Sequence, residues 1–110
     1  MAIIPTEHEE CIALVQYLKI RGIKHTHINN EMFTNSWKQK NKAKAEGVSK
    51  GFPDYCIVIK NKLLFIEMKR VKGGVVSEEQ KEWIEKLNGI GKEVEAIVCK
   101  GCGEAIDKIE

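Results

Sequence analysis

The sequence has no apolar run approaching the roughly 18 residues of a membrane-spanning helix, so no helical span is expected. It has no basic segment followed by an apolar stretch at its start: Met1-Ala2-Ile3-Ile4-Pro5-Thr6-Glu7 does not read as a secretory signal. The expected compartment is the cytoplasm, that of the host cell if a phage or other mobile element encodes the chain. There is no internal repeat, low-complexity tract or linker. The net charge of +2 is too small to argue by itself for a polyanionic partner. Only half of a zinc site is present. Cys99-Lys100-Gly101-Cys102 has the spacing of one ligand pair, but no second pair accompanies it, and His8, His25 and His27 are scattered. A small zinc-stabilised interaction domain is therefore a remote alternative, and disulfides are not expected in a cytosolic chain. Cys11 and Cys56 lie in apolar runs and read as small core residues.

What is present suits one folded domain over residues 1–110, with 43% hydrophobic and 31% charged residues. Thr6 followed by Glu9 forms a capping box for a helix over about 7–21, which Gly22 ends. Ile23 to Asn29 alternates weakly and predicts a strand. A lysine-rich helix follows over about 36–46, stopped by Gly47. Lys38, Lys40, Lys42, Lys44 and Lys50 crowd this stretch against the single acid Glu46, either as a solvated helix or as a phosphate-contacting surface.

Tyr55-Cys56-Ile57-Val58-Ile59 and Leu63-Leu64-Phe65-Ile66-Glu67-Met68-Lys69 are two largely apolar runs around the polar break Lys60-Asn61-Lys62, the signature of a hairpin. A loop with Gly73-Gly74 leads to a helix opened by Ser77 and Gln80, with Trp83, Ile84, Leu87 and Ile90 as its apolar stripe. Val94 to Cys99 predicts a last strand, parallel to the second hairpin strand because a helix separates them. A short terminal helix covers about 102–109. The layout is α/β, a small mixed sheet flanked by helices.

Glu67 and Lys69 interrupt a buried apolar strand, and their separation of two puts both on one face. Asp54 precedes the first hairpin strand, so an antiparallel hairpin brings it beside them. Buried charges are costly unless paired or bound to a metal. Two carboxylates and a lysine therefore make either a structural ion cluster or an oxygen-ligand site for Mg²⁺ or Mn²⁺. Such a cation can orient a phosphodiester and activate water, with Lys69 beside it to hold the water or stabilise the pentacovalent phosphate.

Pro53-Asp54, followed downstream by Glu67-Met68-Lys69, resembles the PD-(D/E)xK nuclease signature. More narrowly, Lys44-Ala45-Glu46-Gly47-Val48-Ser49-Lys50-Gly51-Phe52-Pro53-Asp54 is similar to the K-x-E-G-V-x-x-G-x-P-D segment of the VRR-NUC family. So are Phe65-Ile66-Glu67-Met68-Lys69, Gly73-Gly74, Ser77-Glu78-Glu79-Gln80-Lys81 and the opening Glu7-His8-Glu9-Glu10. The resemblance runs from about Glu7 to Val98, with the pieces in the family's order. Asn29-Asn30-Glu31-Met32-Phe33 departs from it where a proline-asparagine-glycine loop is usual.

The resemblance implies a restriction-endonuclease-like core and Mg²⁺- or Mn²⁺-dependent endonucleolytic cleavage of DNA. It implies a stand-alone phage-type homodimer acting in DNA repair on branched DNA such as the four-way (Holliday) junction. Asp54, Glu67 and the backbone carbonyl of Met68 would hold the metal, and Lys69 would be catalytic. Gln80 would join the site or serve only as the partner of Ser77. Of the first-helix acids, Glu10 is preferred and Glu7 is held in reserve; either could instead serve the helix dipole. Lys44, Lys50, Arg70 and Lys72 would contact phosphates. Phe33, Trp37 and the exposed face of the first helix are candidates for a dimer surface, with core packing as the alternative for Trp37. No small-molecule cofactor is implied. No base-reading motif is present, so selection by DNA shape is expected rather than by sequence. A non-catalytic nucleic-acid-binding module on the same fold is the competing function.

Overall fold

The computed structural model describes residues 3–28 and 36–110. Residues 29–35 therefore lie outside it, and with them Phe33 and the Asn29–Phe33 departure from the family pattern. The elements are α1 (Glu7–Ile20), β1 (His25–His27), α2 (Trp37–Ala45), β2 (Tyr55–Ile59), β3 (Lys62–Lys69), α3 (Glu78–Asn88), β4 (Val94–Lys100) and α4 (Cys102–Ile109).

The four strands lie in the order β1-β2-β3-β4. β1 and β2 are antiparallel, as are β2 and β3, while β3 and β4 are parallel. The hairpin break is tighter than the three-residue reading. Lys60 and Asn61 both take positive φ, at 54° and 62°, and Lys62 already pairs with Ile59. Two left-handed residues match the twist of adjacent strands, so two are enough. β1 is shorter than the alternation suggested and keeps three residues.

Both predicted capping boxes form, Thr6 with Glu9 on α1 and Ser77 with Gln80 on α3. α3 ends at Asn88 with Gly89 as its cap, so Ile90 falls beyond the stripe and is exposed. α1 and α4 cover one sheet face, where Leu14, Leu18, Ile57, Ile66, Met68, Ala105 and Ile109 form the larger core. α3 covers the other face through Leu87 and Ile84, against Phe65, Ala96, Phe52 and Cys56.

Two expectations about packing change. Cys11 and Cys56 are only half-buried at the margins of the two cores, whereas Cys99 and Cys102 are the buried thiols. Trp37 does not pack into the core: it is 78% exposed, and no residue of α2 is buried. With four lysines in nine residues, α2 lacks the apolar stripe by which a helix docks on a sheet.

Candidate active site

The site is built by the unequal lengths of the hairpin strands. Buried Pro53 stands just before β2 and has no N–H to give to a ladder. β2 therefore begins at Tyr55, opposite Ile66, while β3 runs on through Glu67, Met68 and Lys69. Continuing the register by one residue places Asp54 opposite Glu67. The Met68 N–H, left without a β2 partner, donates to Asp54 Oδ2 at 2.8 Å. Backbone polarity alternates along a strand. Lys69 offers its carbonyl to the β4 side, where Gly101 N–H donates to it at 2.9 Å. The Met68 carbonyl thus faces the opposite edge, the one where Asp54 lies.

Strand alternation separates the side chains. Met68 points into the α1/α4 core and is fully buried, while Glu67 and Lys69 share the α3 face with Phe65. Glu67 is the buried charged residue of the described chain, 3% exposed. Lys69 Nζ lies 3.8 Å from its Oε2, with the lysine side chain 14% exposed. Burial, then the charge and hydrogen bond of Asp54, push the Glu67 carboxyl up to about 8, against a smaller pull downward from Lys69. The single ammonium does not offset the desolvation of Glu67 and the repulsion between two acids.

The first-helix acids part company. Glu7 exerts its charge on Glu67, on the Tyr55 hydroxyl and on the Cys11 thiol, all beside Asp54. Glu10 turns the other way and accepts from Cys102 N–H at 3.2 Å. There it serves the N-terminus of α4, where Gly101 offers no side-chain cap. Glu10 is thus placed as a capping group, while Glu7 lines one cleft with Asp54. Sequence spacing could not separate them, since both fall in the first turn of α1.

Gln80 accepts from Ser77 N–H through Oε1 at 2.9 Å, so its side-chain oxygen is engaged in the cap. Its backbone nevertheless abuts the approach to Asp54. A Cβ on Gly51, which sits at φ +90°, would meet Glu79 C at 2.6 Å and Gln80 N at 2.7 Å. Trp83 Nε1 donates to the Lys50 carbonyl at 3.0 Å and its ring meets Phe52 edge-on, tying the same loop to α3. Lys44, Lys50, Arg70 and Lys72 are all exposed, on the two segments that flank Asp54 and Lys69 in the chain.

Gly74 packs so tightly that a Cβ would lie 2.9 Å from Lys69 Cβ, a contact that sequence reading missed because Gly73-Gly74 signals only flexibility. Among the described residues no three His, Cys, Asp or Glu side chains form a ready-made metal cluster. Two carboxylates and one carbonyl are nonetheless a fitting partial shell for a hard cation that keeps several waters. Cys99 and Cys102 lie in the α1/α4 core, and burial pushes both thiols up.

Comparison with known proteins agrees with this architecture. No curated protein matches the chain. A solved structure described as a VRR_NUC domain protein superposes with a TM-score of 0.78 at 26% identity, covering 98% of this chain and 88% of its own. The sequence model of the VRR-NUC domain matches residues 12–102. That span includes Asp54, Glu67, Met68, Lys69 and Gln80 and begins after the two first-helix acids. No described helix is long and apolar enough to cross a membrane. The chain belongs to the VRR-NUC family, and its function is of nuclease type.

Proposed function

We propose that this chain is an Mg²⁺- or Mn²⁺-dependent endonuclease that hydrolyses DNA phosphodiesters and selects branched DNA, the four-way junction among them. The observation that carries the reading is the buried Glu67 held opposite Asp54 at the open end of the hairpin, with its carboxyl pushed up to about 8. Such a pair is costly as it stands and becomes favourable around a cation. Asp54, Glu67 and the Met68 carbonyl would hold that ion. When bound, it neutralises charge on the phosphodiester and lowers the pKa of a bound water.

The protein's own groups supply the rest. Lys69, steered by Glu67, presents an ammonium that orients the attacking water or offsets charge on the pentacovalent phosphate. Glu7 adds a third carboxylate on the α1 side. Lys44, Lys50, Arg70 and Lys72 position the DNA backbone without reading sequence. A homodimer would present two such sites to two strands, suiting repair of symmetric branched intermediates.

The test is incubation of purified protein with end-labelled four-way, flap and duplex DNA, with and without Mn²⁺. Metal-dependent products, greatest on branched DNA, are expected. DNA binding without metal-dependent products from any substrate would instead make the chain a non-catalytic nucleic-acid-binding module.

A further inference from the structure

A cleft of about 590 Å³ runs from Asp54 along the outer side of α1. This lies within the range of ligand sites, roughly 300–1,000 Å³. Ile12, Val15 and Lys19 line one wall at helical spacing, with His8, Cys11 and Gln16 beside them, and His27 and Tyr55 line the other, with Glu7 at the Asp54 end. Ile12 and Lys19 face away from the stripe that buries Leu14 and Leu18, while Val15 flanks that stripe and packs partly against the core. Ile12 stands 45% exposed in this groove, so apolar surface faces water beside a proposed phosphodiester site. The facing wall is aromatic. The exposed His27 ring meets Tyr55 at 5.0 Å, tilted by 56°. Tyr55 is 4% exposed and hydrogen-bonded to Cys11, so His27 rests on an immobilised support.

We propose that this cleft receives a nucleobase that has left the duplex, on the strand being cut, stacked on His27 and covered by Ile12 and Val15. The proposal rests on the nuclease reading and names the substrate feature it selects. A phosphodiester held at Asp54 belongs to a strand that must continue past the site, and the cleft opens there. Lys19 lies twelve residues beyond Glu7, roughly 18 Å along the helix, at the far end of the groove. It is placed there to meet a phosphate further along the same strand. A base inside a duplex has both faces covered by its neighbours, so a one-sided platform in a groove favours bases at junction centres, flaps and frayed ends. Stacking on His27 and cover by Ile12 and Val15 read no base edge, consistent with selection by structure rather than sequence.

The test uses flap DNA whose cut site is first mapped with wild-type protein and Mn²⁺. Each nucleotide flanking the cut is then replaced in turn by an abasic tetrahydrofuran residue. At one flanking position, base removal is expected to slow wild-type cleavage by about 5- to 150-fold, the range for one stacked base. His27→Ala should lose a similar factor on normal DNA and become indifferent to the abasic residue. Ile12→Glu, at an exposed position that folding tolerates, should behave the same way. Cleavage that proceeds equally well at every abasic position overturns the proposal while leaving the nuclease reading intact. So does a His27→Ala variant that slows all substrates equally and changes oligomeric state in size-exclusion chromatography, because the cleft would then hold a second copy of the chain. If wild-type protein cuts no DNA with Mn²⁺, both readings fall.

Discussion

Replacing Glu67 with glutamine should make the metal-free protein more stable at alkaline pH while removing its ability to cleave DNA. The Glu67 carboxyl is 3% exposed and pushed up from 4.5 to about 8. Between those pH values the folded chain keeps a proton that the unfolded chain has released, so the native state binds more protons and stability falls as pH rises. The loss begins near 4.5 and is complete above about 8. At about 1.4 kcal/mol per unit, the full shift corresponds to about 5 kcal/mol. Water reaching the open end of the hairpin reduces this, so about 2–4 kcal/mol is expected. Glutamine keeps the shape and never ionises. Urea unfolding in chelator at pH 5 and pH 8.5 reads the effect directly. The two proteins should differ little at pH 5, and Glu67→Gln should be the more stable by about 2–4 kcal/mol at pH 8.5. Mn²⁺ at pH 8.5 should then stabilise wild type more than the variant. A stability difference that is the same at both pH values would refute the account of Glu67 as a carboxylate strained by burial and by Asp54.

Lys69→Ala should abolish cleavage while metal and DNA binding persist in calorimetry and gel shift; a loss below about tenfold would remove it from the chemistry. Asp54→Asn should weaken Mn²⁺ binding itself, seen by titration calorimetry. Glu7→Gln should lower metal affinity or cleavage with little change in stability. Glu10→Gln should cost about 1 kcal/mol in urea unfolding, as the loss of a charged cap at Cys102, with metal affinity unchanged. Gly51→Ala should destabilise by about 2–4 kcal/mol, because its Cβ would strike the α3 backbone at a position already at φ +90°.

Much of this protein was legible from local chemistry alone. Caps at Thr6 and Ser77, apolar runs around Lys60-Asn61 and the stops at Gly22 and Gly47 all act within a few residues, so the one-dimensional pattern carries them. The juxtaposition of Asp54 with Glu67 was legible for the same reason: a hairpin turns a short sequence separation into a spatial neighbour. The parallel placement of β4 followed from the length of α3.

Other features depend on which distant surfaces meet. Glu7 and Glu10 share one helical turn, and only the packing of α4 against α1 sends Glu10 to the Cys102 N–H while Glu7 stays beside Asp54. Sequence left Trp37 between a dimer surface and core packing, and α2, with no apolar stripe with which to dock, leaves it exposed. Cys11 and Cys99 both lie in apolar runs, but the sheet buries the second and leaves the first at the mouth of a groove. That groove arises from the separation of α1 and the β1 edge, a distance between elements that no local residue pattern encodes. Sequence thus determined the strands, the turns and the acid pair they align, because those are short-range consequences of backbone geometry. Tertiary structure decided which first-helix acid lies near Asp54, which thiols are buried and where a groove opens beside the acid pair, because each is a matter of how separately formed elements pack.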